Sequence, residues 1–305
     1  MRYFVTGASG WIGSATVPEL IAAGHRVTGL ARSDASAAAL TASGADVVRG
    51  TLDDLDVLRE AAAASDGVVH LAFKHDIAFS GSFKEAAEAD RRAVDALGEA
   101  LAGSGRPLVL ASGVAGLKPG RPATERDMPE SDGSPMSLRG ATAAAVLALA
   151  PRGVRSSVVR IPPTAHGDGD RGFVASLVSF AREKGSSGYL GDGANRWPAV
   201  HRSDVGRLFA LAADGAPAGA VLHAVADRGV PFREIAEVIG RHLGVPAVSV
   251  PQEEAAAHFG WMSGFVGLDA PASSDLTQEL LGWHPTGPGL LADLDEGHYF
   301  RAAGA

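Results

Sequence analysis

The segment TGASGWIG at residues 6–13 constrains the fold of this chain more than any other stretch. It follows a short β-branched and aromatic run at residues 2–6 and leads into an apolar, helix-like stretch. In a strand–turn–helix unit, a first glycine allows the tight turn, a second lets the backbone approach a pyrophosphate, and a third permits close packing of helix on strand. The glycines at these three places are Gly7, Gly10 and Gly13. The pattern therefore predicts a helix N-terminus that binds the phosphates of a dinucleotide.

Apolar runs alternate with alanine-rich, helix-like stretches through the first half of the chain. After the first strand, these runs cover residues 26–31, 45–49, 67–72, 107–112 and 154–161. Strands that alternate with helices predict a parallel sheet, and right-handed crossovers then give a doubly wound α/β fold, the Rossmann fold. Ligands of such folds bind outside the carboxyl ends of the strands.

The alternation loosens after residue 162. We expect residues 1–162 to form a dinucleotide-binding domain and residues 163–305 to form mainly a smaller, substrate-binding C-terminal lobe. Parts of 197–225 are expected to return to the central sheet. Four Gly or Pro residues interrupt residues 188–204, so this stretch is predicted to be a long functional loop.

Composition narrows the class of protein. The 305 residues include 27 Lys plus Arg against 35 Asp plus Glu, a net charge of −8, which disfavours nucleic acid and anionic membranes as partners. Cysteine is absent, which excludes disulfides, thiol catalysis and Cys-ligated metals, and no run of about 18 apolar residues occurs. These features indicate a cytoplasmic protein that acts on a small molecule. The segment HGDGD (166–170) has the spacing of neither an EF-hand nor a zinc helix, so no metal site is expected. The alanine-rich stretches 84–102 and 136–150 could pair in a homodimer or pack on the sheet of a monomer, and both states stay open.

The end of the second predicted strand carries information about the cofactor. Arg32 stands 19 residues beyond Gly13, where NAD-binding folds usually offer a carboxylate to the ribose 2′-hydroxyl. An arginine there suits the 2′-phosphate of NADP instead. Arg32 favours NADP(H), although Asp34, two residues later, could still serve NAD.

Seven features of the sequence form a set: TGASGWIG (6–13), Arg32, GTLDD (50–54), VVHLAF (68–73), LVLASG (108–113), VVRIPPTAHG (158–167) and WPAVHRSDV (197–205). Together they resemble the extended short-chain dehydrogenase/reductases, the NAD(P)-dependent epimerase/dehydratase superfamily. The resemblance covers most of the chain. It implies a cofactor site made of Gly7, Ser9, Gly10, Trp11, Ile12, Gly13, Arg32, Leu52, Leu71, Ala72, Phe73, Pro162 and Pro163.

The family's Tyr-x-x-x-Lys pair is absent from this sequence. In that pair the lysine lowers the phenol pKa, so that the tyrosine exchanges a proton with the substrate oxygen. The residues four positions before the four lysines are His70, Ser80, Val114 and Phe180. By the resemblance, the pair should fall within 137–146, where Arg139 and Ala143 stand at the spacing. The sequence therefore resembles atypical members of the superfamily.

Other side chains are then candidates for the chemistry. Ser112 matches the family's catalytic Ser/Thr, although it could be a simple strand-terminal hydroxyl. His166 replaces the family's usual aromatic residue, and histidine titrates near working pH. Tyr189 is predicted to lie in the loop that faces the cleft, although it could instead pack beneath that loop. Arg139 could clamp an anion or lie on a solvated helix face.

These observations favour an NADP(H)-dependent oxidoreductase that reduces a carbonyl, imine or activated alkene of a small hydrophobic molecule. One alternative is a sugar-nucleotide epimerase or dehydratase that retains its cofactor through turnover. A second alternative is a non-catalytic NADP(H)-binding sensor, which the missing catalytic pair favours.

Overall fold

A computed structural model describes residues 1–117, 120–129 and 135–301. In chain order, the strands are Arg2–Thr6 (β1), Arg26–Ala31 (β2), Asp46–Arg49 (β3), Gly67–His70 (β4), Pro107–Gly113 (β5), Arg155–Ile161 (β6), Thr164–His166 (β7), Ser187–Leu190 (β8), Arg196–His201 (β9), Ala220–His223 (β10), Asp227–Pro231 (β11) and Ala247–Val250 (β12). The α-helices are Gly13–Ala22 (α1), Asp34–Ala42 (α2), Leu55–Ala63 (α3), His75–Ile77 (α4), Phe83–Leu101 (α5), Pro135–Leu147 (α6), Phe173–Lys184 (α7), Arg202–Gly215 (α8), Phe232–Leu243 (α9), Ala255–Phe259 (α10), Asp275–Leu281 (α11) and Leu290–Asp295 (α12).

The central sheet has seven parallel strands in the order β10-β6-β5-β4-β1-β2-β3. The chain winds outward from β1 in one direction and then from β4 in the other, so the order reverses between β1 and β4. This is the doubly wound α/β fold that the alternating runs predict. Its crevice lies above the carboxyl ends of β1 and β4, where ligands of such sheets bind.

Both faces of the sheet are buried, which explains why its strands are continuous apolar runs. Side chains alternate between the faces: Tyr3 and Val5 pack in one core with α1 and α8, whereas Phe4 packs in the other with α3, α5 and α6. Tyr3, Phe4 and Val5 are all fully buried. The helices thus form one layer on each side of the sheet.

A second core lies in the C-terminal half of the chain. A three-stranded sheet in the order β11-β9-β7 and the β12-β8 pair surround it together with α7, α9 and α10. Trp197 and Phe232 are fully buried here, with ring centroids 4.8 Å apart. This core includes residues that sequence analysis assigned to a loop.

The predicted loop at 188–204 is wrong, because residues 187–190 and 196–201 are strands β8 and β9. Gly191 and Gly193 lie in the short turn between these strands, with φ of +57° and +68°. Pro198 lies inside β9, opposite a register shift between Asp227 and Val230 of β11. A proline has no N–H for a ladder bond, and a bulge in the partner strand accommodates it. The interruptions that predicted a loop are therefore a tight turn and a bulge site.

The chain returns from this second core to the central sheet. Helix α8 packs against α1, and β10 then adds to the edge of the sheet beside β6. Within the described ranges, no helix is both long and apolar enough to cross a lipid bilayer.

Candidate cofactor and active site

The phosphate loop between β1 and α1 has the geometry that a dinucleotide requires. Gly7 adopts φ of +64°, and a Cβ there would lie 2.7 Å from the backbone nitrogen of Ala72. At Gly13 a Cβ would lie 2.1 Å from the carbonyl oxygen of Gly7. Gly7 must be glycine because its backbone is in the left-handed region, and Gly13 must be glycine because α1 and the turn touch at this position and leave no room for a Cβ.

The N-terminus of α1 is free of a side-chain cap. Ile12 precedes the helix without a capping hydrogen bond, and the first turn contains no acidic residue. By contrast, Ser33 and Ser36 form a reciprocal capping box at the start of α2. The first amides of an α-helix lack intrahelical partners, and an anionic phosphate can satisfy them. The residues therefore fit a dinucleotide pyrophosphate at α1.

A buried hydrogen-bonded chain lies directly beneath this loop. The Thr6 hydroxyl is 2.7 Å from His70 Nδ1, and His70 Nε2 is 3.1 Å from Asp90 Oδ1. The Ala72 amide donates to Thr6 Oγ1 at 3.3 Å. One tautomer is consistent with all three contacts: His70 Nε2–H donates to Asp90, and Nδ1 accepts from Thr6. These hydrogen bonds hold the phosphate loop against the segment that follows β4 and against α5.

Trp11 connects the phosphate loop to the C-terminal half of the chain. Its indole Nε1 donates to the carbonyl oxygen of Ala165 in β7 at 2.7 Å. The Arg202 guanidinium lies 4.1 Å above the Trp11 ring and donates to Ser14 Oγ at 2.8 Å. A guanidinium over an indole face is attractive, so Arg202 holds a positive charge beside the N-terminus of α1.

Two arginines, Arg32 and Arg49, lie at the carboxyl ends of the neighbouring strands β2 and β3. We call this side of the crevice the adenosine end, because the adenosine of a dinucleotide is expected to bind there. Arg32 Nη1 lies 3.2 Å from Asp76 Oδ2, with both side chains largely exposed. Arg49, in register beside Ala31, donates to the Ser33 carbonyl oxygen and to Asp34 Oδ1, both at 2.6 Å. Leu52 is buried in the core beneath this end. Asp34, the alternative NAD carboxylate, is thus already in an ion pair.

The opposite end of the crevice lies above β4, β5 and β6. Leu71, Ala72 and Phe73 follow β4 and are half-buried, and Ser112 is half-buried near the end of β5. Pro162 and Pro163 follow β6 directly. The structure therefore brings these predicted site residues to the carboxyl edge of three adjacent strands.

Arg139 lies between the ends of β4 and β5 and not on a solvated helix face. Its Nη2 donates to the Ala111 carbonyl oxygen at 2.8 Å, and its Cζ lies 4.1 Å from the centroid of the Phe73 ring. Burial lowers the pKa of Arg139, which the charge of Asp90 partly offsets. A guanidinium nevertheless stays protonated in proteins.

The other two catalytic candidates, His166 and Tyr189, are buried. His166 is fully buried at the end of β7, with Nδ1 2.8 Å from Asp293 Oδ2. Tyr189 lies in β8 within the C-terminal core, only 9% exposed, with the Arg233 guanidinium 5.6 Å from its ring centroid. Catalytic roles for His166 and Tyr189 stay predictions, which this burial does not favour.

The acidic segment HGDGD (166–170) was not expected to bind a metal. Burial raises the pKa of Asp170, which accepts a hydrogen bond from the Tyr299 hydroxyl at 3.2 Å. Among the residues that the structure describes, no group of three His, Cys, Asp or Glu side chains is arranged to hold a metal ion.

A buried polar cluster supports the β6–β10 end of the sheet. His223 Nδ1 lies 2.8 Å from the Ser273 carbonyl oxygen, and its Nε2 lies 3.4 Å from Arg160 Nη1. Glu125 Oε1 accepts from both the amide and the hydroxyl of Thr277, at 2.8 and 2.7 Å. Burial lowers the pKa of His223 to about 4, although the charge of Glu125 opposes this shift. The imidazole is therefore neutral at pH 7, with Nδ1–H donating to Ser273.

Sequence reasoning missed Arg49, Arg202 and the His70–Asp90 pair. Arg49 could have been found from the sequence, because parallel strands that end together bring their last residues side by side. Asp90 and Arg202 could not, because α5 and α8 are positioned by packing far along the chain.

Comparisons with known proteins agree with this geometry. The model of the family described as the NAD dependent epimerase/dehydratase family matches residues 3–224. The uncharacterized protein C2A9.02 of Schizosaccharomyces pombe is 47% identical over 301 residues, which cover 98% of this chain and 100% of that protein. The uncharacterized protein YLL056C of Saccharomyces cerevisiae is 44% identical over 296 residues, covering 96% and 98%.

A more distant relative has a described reaction. The 4-hydroxy-2-methyl-3-oxo-4-farnesyl-3,4-dihydroquinoline-1-oxide ketoreductase of Stigmatella aurantiaca is 29% identical over 276 residues, covering 85% of this chain and 80% of that protein. Among solved structures, a double mutant of the dTDP-glucose 4,6-dehydratase DesIV from Streptomyces venezuelae, with NAD bound, superposes with a TM-score of 0.77 at 22% identity, covering 97% and 96%. That likeness concerns the fold. Because the family model covers residues 3–224 and the phosphate loop has the geometry that a dinucleotide requires, this chain belongs to the NAD dependent epimerase/dehydratase family, whose members bind NAD(P).

Proposed function

We propose that this protein is an NADP(H)-dependent oxidoreductase that reduces a carbonyl, imine or activated alkene of a small hydrophobic molecule. The proposed preference for NADP(H) rests on Arg32 and Arg49, which lie together at the ends of neighbouring strands at the adenosine end. The reaction part rests on family membership, on the ketoreductase relative and on the side chains above β4 and β5.

The ion pairs at the adenosine end support NADP(H) over NAD(H). Arg49 donates to Asp34 Oδ1 at 2.6 Å, so a second guanidinium lies at this end beside Arg32. Within the described part of the chain, Arg32 pairs with Asp76 alone, and an exposed pair of this kind contributes about 0–1 kcal/mol. A 2′-phosphate can replace Asp76 at little cost and gain charge-assisted hydrogen bonds that contribute about 1.5–3 kcal/mol.

The absence of Tyr-x-x-x-Lys supports an acceptor that needs little help from a protein acid. Bound NADPH would supply a hydride, and this chain's residues bind and orient the substrate. Ser112, near the end of β5, is proposed to hydrogen-bond the substrate oxygen. Trp261 is 41% exposed and packs against Phe173 at 5.3 Å between centroids, an apolar surface that suits a hydrophobic substrate.

The remaining parts of the proposal concern partners and compartment. We propose a cytoplasmic enzyme with a small-molecule substrate, acting as a monomer or homodimer without nucleic acid, membrane or metal. The net charge of −8 and the absence of cysteine support this.

The test follows nicotinamide absorbance while purified protein meets ketones, enones, quinones and cyclic imines with NADPH, and with NADH in parallel. We expect substrate-dependent oxidation that is faster with NADPH. A protein that binds NADPH tightly yet consumes no acceptor would be a sensor, and one that is purified with retained nicotinamide would be an epimerase or dehydratase. Either outcome contradicts the proposed function.

A further inference from the structure

The Arg139 guanidinium bridges two segments on one side of the crevice. Its contacts are the Ala111 carbonyl oxygen at 2.8 Å, next to Ser112, and the Phe73 ring at 4.1 Å. Ala111 belongs to β5 and Phe73 follows β4, so both contacts lie at the carboxyl ends of adjacent parallel strands. The adenosine end, with Arg32 and Arg49, lies on the other side of the switch point. Arg139 is therefore at the end of the crevice where the reacting half of a dinucleotide belongs.

Among the residues that the structure describes, no carboxylate pairs directly with the Arg139 guanidinium. The carboxylate whose charge it feels is Asp90. Asp90 already binds His70 Nε2 at 3.1 Å. Arg139 is half-buried as a residue, and burial lowers the pKa of its guanidinium, so its charge is largely shielded from bulk water. A guanidinium carries five N–H donors, and the bond to Ala111 uses one of them.

Structural arginines elsewhere in the chain have a different pattern. Arg106, at the start of β5, donates to the carbonyl oxygens of Ala62, Ala63, Ser65 and Ala100. Its donors are used to join backbone segments at the amino-terminal edge of the sheet. With the residues that the structure describes, Arg139 forms one such bond, at the opposite, ligand-binding edge of the same strand.

We propose that Arg139 binds the oxygen of the acceptor and stabilises the negative charge that develops there, so that this site acts on conjugated carbonyl compounds such as quinones and enones. The inference rests on the proposed function. A preorganised cation beside a developing oxyanion is a large source of transition-state stabilisation. A guanidinium does not release its proton near pH 7, so Arg139 cannot serve as the acid that a tyrosine would be.

The substrate class follows from that difference. Bound NADPH would supply a hydride, which would form a C–H bond at the β-carbon of an enone or an O–H bond at one carbonyl oxygen of a quinone. The displaced π electrons would move to the carbonyl oxygen of the enone, which becomes an enolate, or to the second oxygen of the quinone, which becomes a phenolate; Arg139 holds this oxyanion. A proton from water then completes the product, and oxidised nicotinamide is released. Conjugated oxyanions are stable enough for this order, whereas the alkoxide from a simple ketone needs a proton at once.

The test measures binding of an oxyanion separately from turnover. 4-Nitrophenolate is titrated into the complex with NADP, and its absorbance shift reports a phenolate held by a cation. We expect saturable binding to the unmodified protein, at least about 10-fold weaker binding to Arg139→Gln, and partial retention in Arg139→Lys. Arg106→Gln is the matched control, since it removes a guanidinium from the other edge of β5 and should leave nitrophenolate binding unchanged. Thermal unfolding and NADPH affinity of each variant report whether the fold and cofactor site remain.

Single-turnover reduction of a quinone by bound NADPH gives the second measurement. Loss of Arg139 should slow this step by about 100–1,000-fold with NADPH affinity unchanged, and added guanidinium ion should restore part of the rate in Arg139→Ala. Equal nitrophenolate binding by Arg139→Gln and unmodified protein, or no binding by either, would overturn the inference. Failure to reduce any acceptor while nitrophenolate binding depends on Arg139 would instead refute the proposed function and leave the oxyanion site in place.

Discussion

Substitution of Gly13 by alanine tests whether close packing of α1 on the phosphate loop is what makes the cofactor site. The new Cβ would lie 2.1 Å from the Gly7 carbonyl oxygen and 2.6 Å from that of Ala8. Ordinary contact begins near 3.4 Å, so helix and turn must separate by about 1.3 Å. Both clashing groups are backbone, so no side-chain rotation can relieve the contact.

The magnitude follows from this displacement. Overpacking costs about 1–3 kcal/mol in a core and more where backbone must move, so we expect a loss of about 3 kcal/mol in the free energy of unfolding. For a chain of this size, that corresponds to a fall in Tm of about 5 °C. Moving the amides of α1 by about 1 Å also breaks at least one charge-assisted bond to the pyrophosphate, which weakens NADPH binding by about 10-fold or more.

The assay combines thermal unfolding with fluorescence titration of NADPH. Gly264→Ala is the control, because no atom lies within 4 Å of its Cβ position and its φ is not positive. That variant should change the free energy of unfolding by less than about 0.5 kcal/mol. If Gly13→Ala bound NADPH as tightly as the unmodified protein, the close-packing argument for the phosphate loop would be refuted.

Three further predictions follow from the ion pairs and buried groups. Arg32→Ala should lower the preference for NADPH over NADH by about 10-fold or more, measured as the ratio of the two dissociation constants; an unchanged ratio would exclude Arg32 as the phosphate reader. Asp90→Asn should lower the free energy of unfolding, measured in urea, by about 1–3 kcal/mol, because His70 and Arg139 lose the buried negative charge that both face. Asp95→Asn, on the exposed face of α5, is the control and should lower it by less than about 1 kcal/mol. Burial lowers the pKa of His223 to about 4 in the folded state, so the stability that the neutral imidazole contributes is fully present above pH 6.5 and is lost as the pH falls from 6.5 towards 4. His223→Gln should lose less stability over that range; an equal loss would assign the pH dependence to other groups.

The central sheet was predictable because its signals are local. Each parallel strand is a buried apolar run, and the spacing of Gly7, Gly10 and Gly13 specifies what lies between the first strand and helix. The predicted first strand at 2–6 matches β1, and the helix-like stretch predicted after it contains α1. Periodicity and turn chemistry act over a few residues, so sequence alone reveals them.

The C-terminal half was less predictable because its strands depend on distant partners. β8 pairs with β12, about 60 residues later, and β9 tolerates Pro198 only because β11 bulges opposite it. Neither relation has a local signature. Tyr189 was expected to face the cleft for the same reason: its strand was mistaken for a loop. Arg139 was weighed as a candidate, but only the fold shows that it contacts Ala111 and Phe73.

The route of the chain determines how this protein can be recombined with its relatives. β10 and α8 come after β7–β9 in sequence, yet they complete the central sheet and one of its covering layers. A hybrid joined at one point after Ile161 would pair β6 with the relative's counterpart of β10 and pack α1 on the relative's counterpart of α8, so the central core would combine side chains from two different proteins. Exchange of substrate specificity between family members therefore needs at least two replaced segments, one before Arg202 and one after Ala226, with the intervening helix and strand retained.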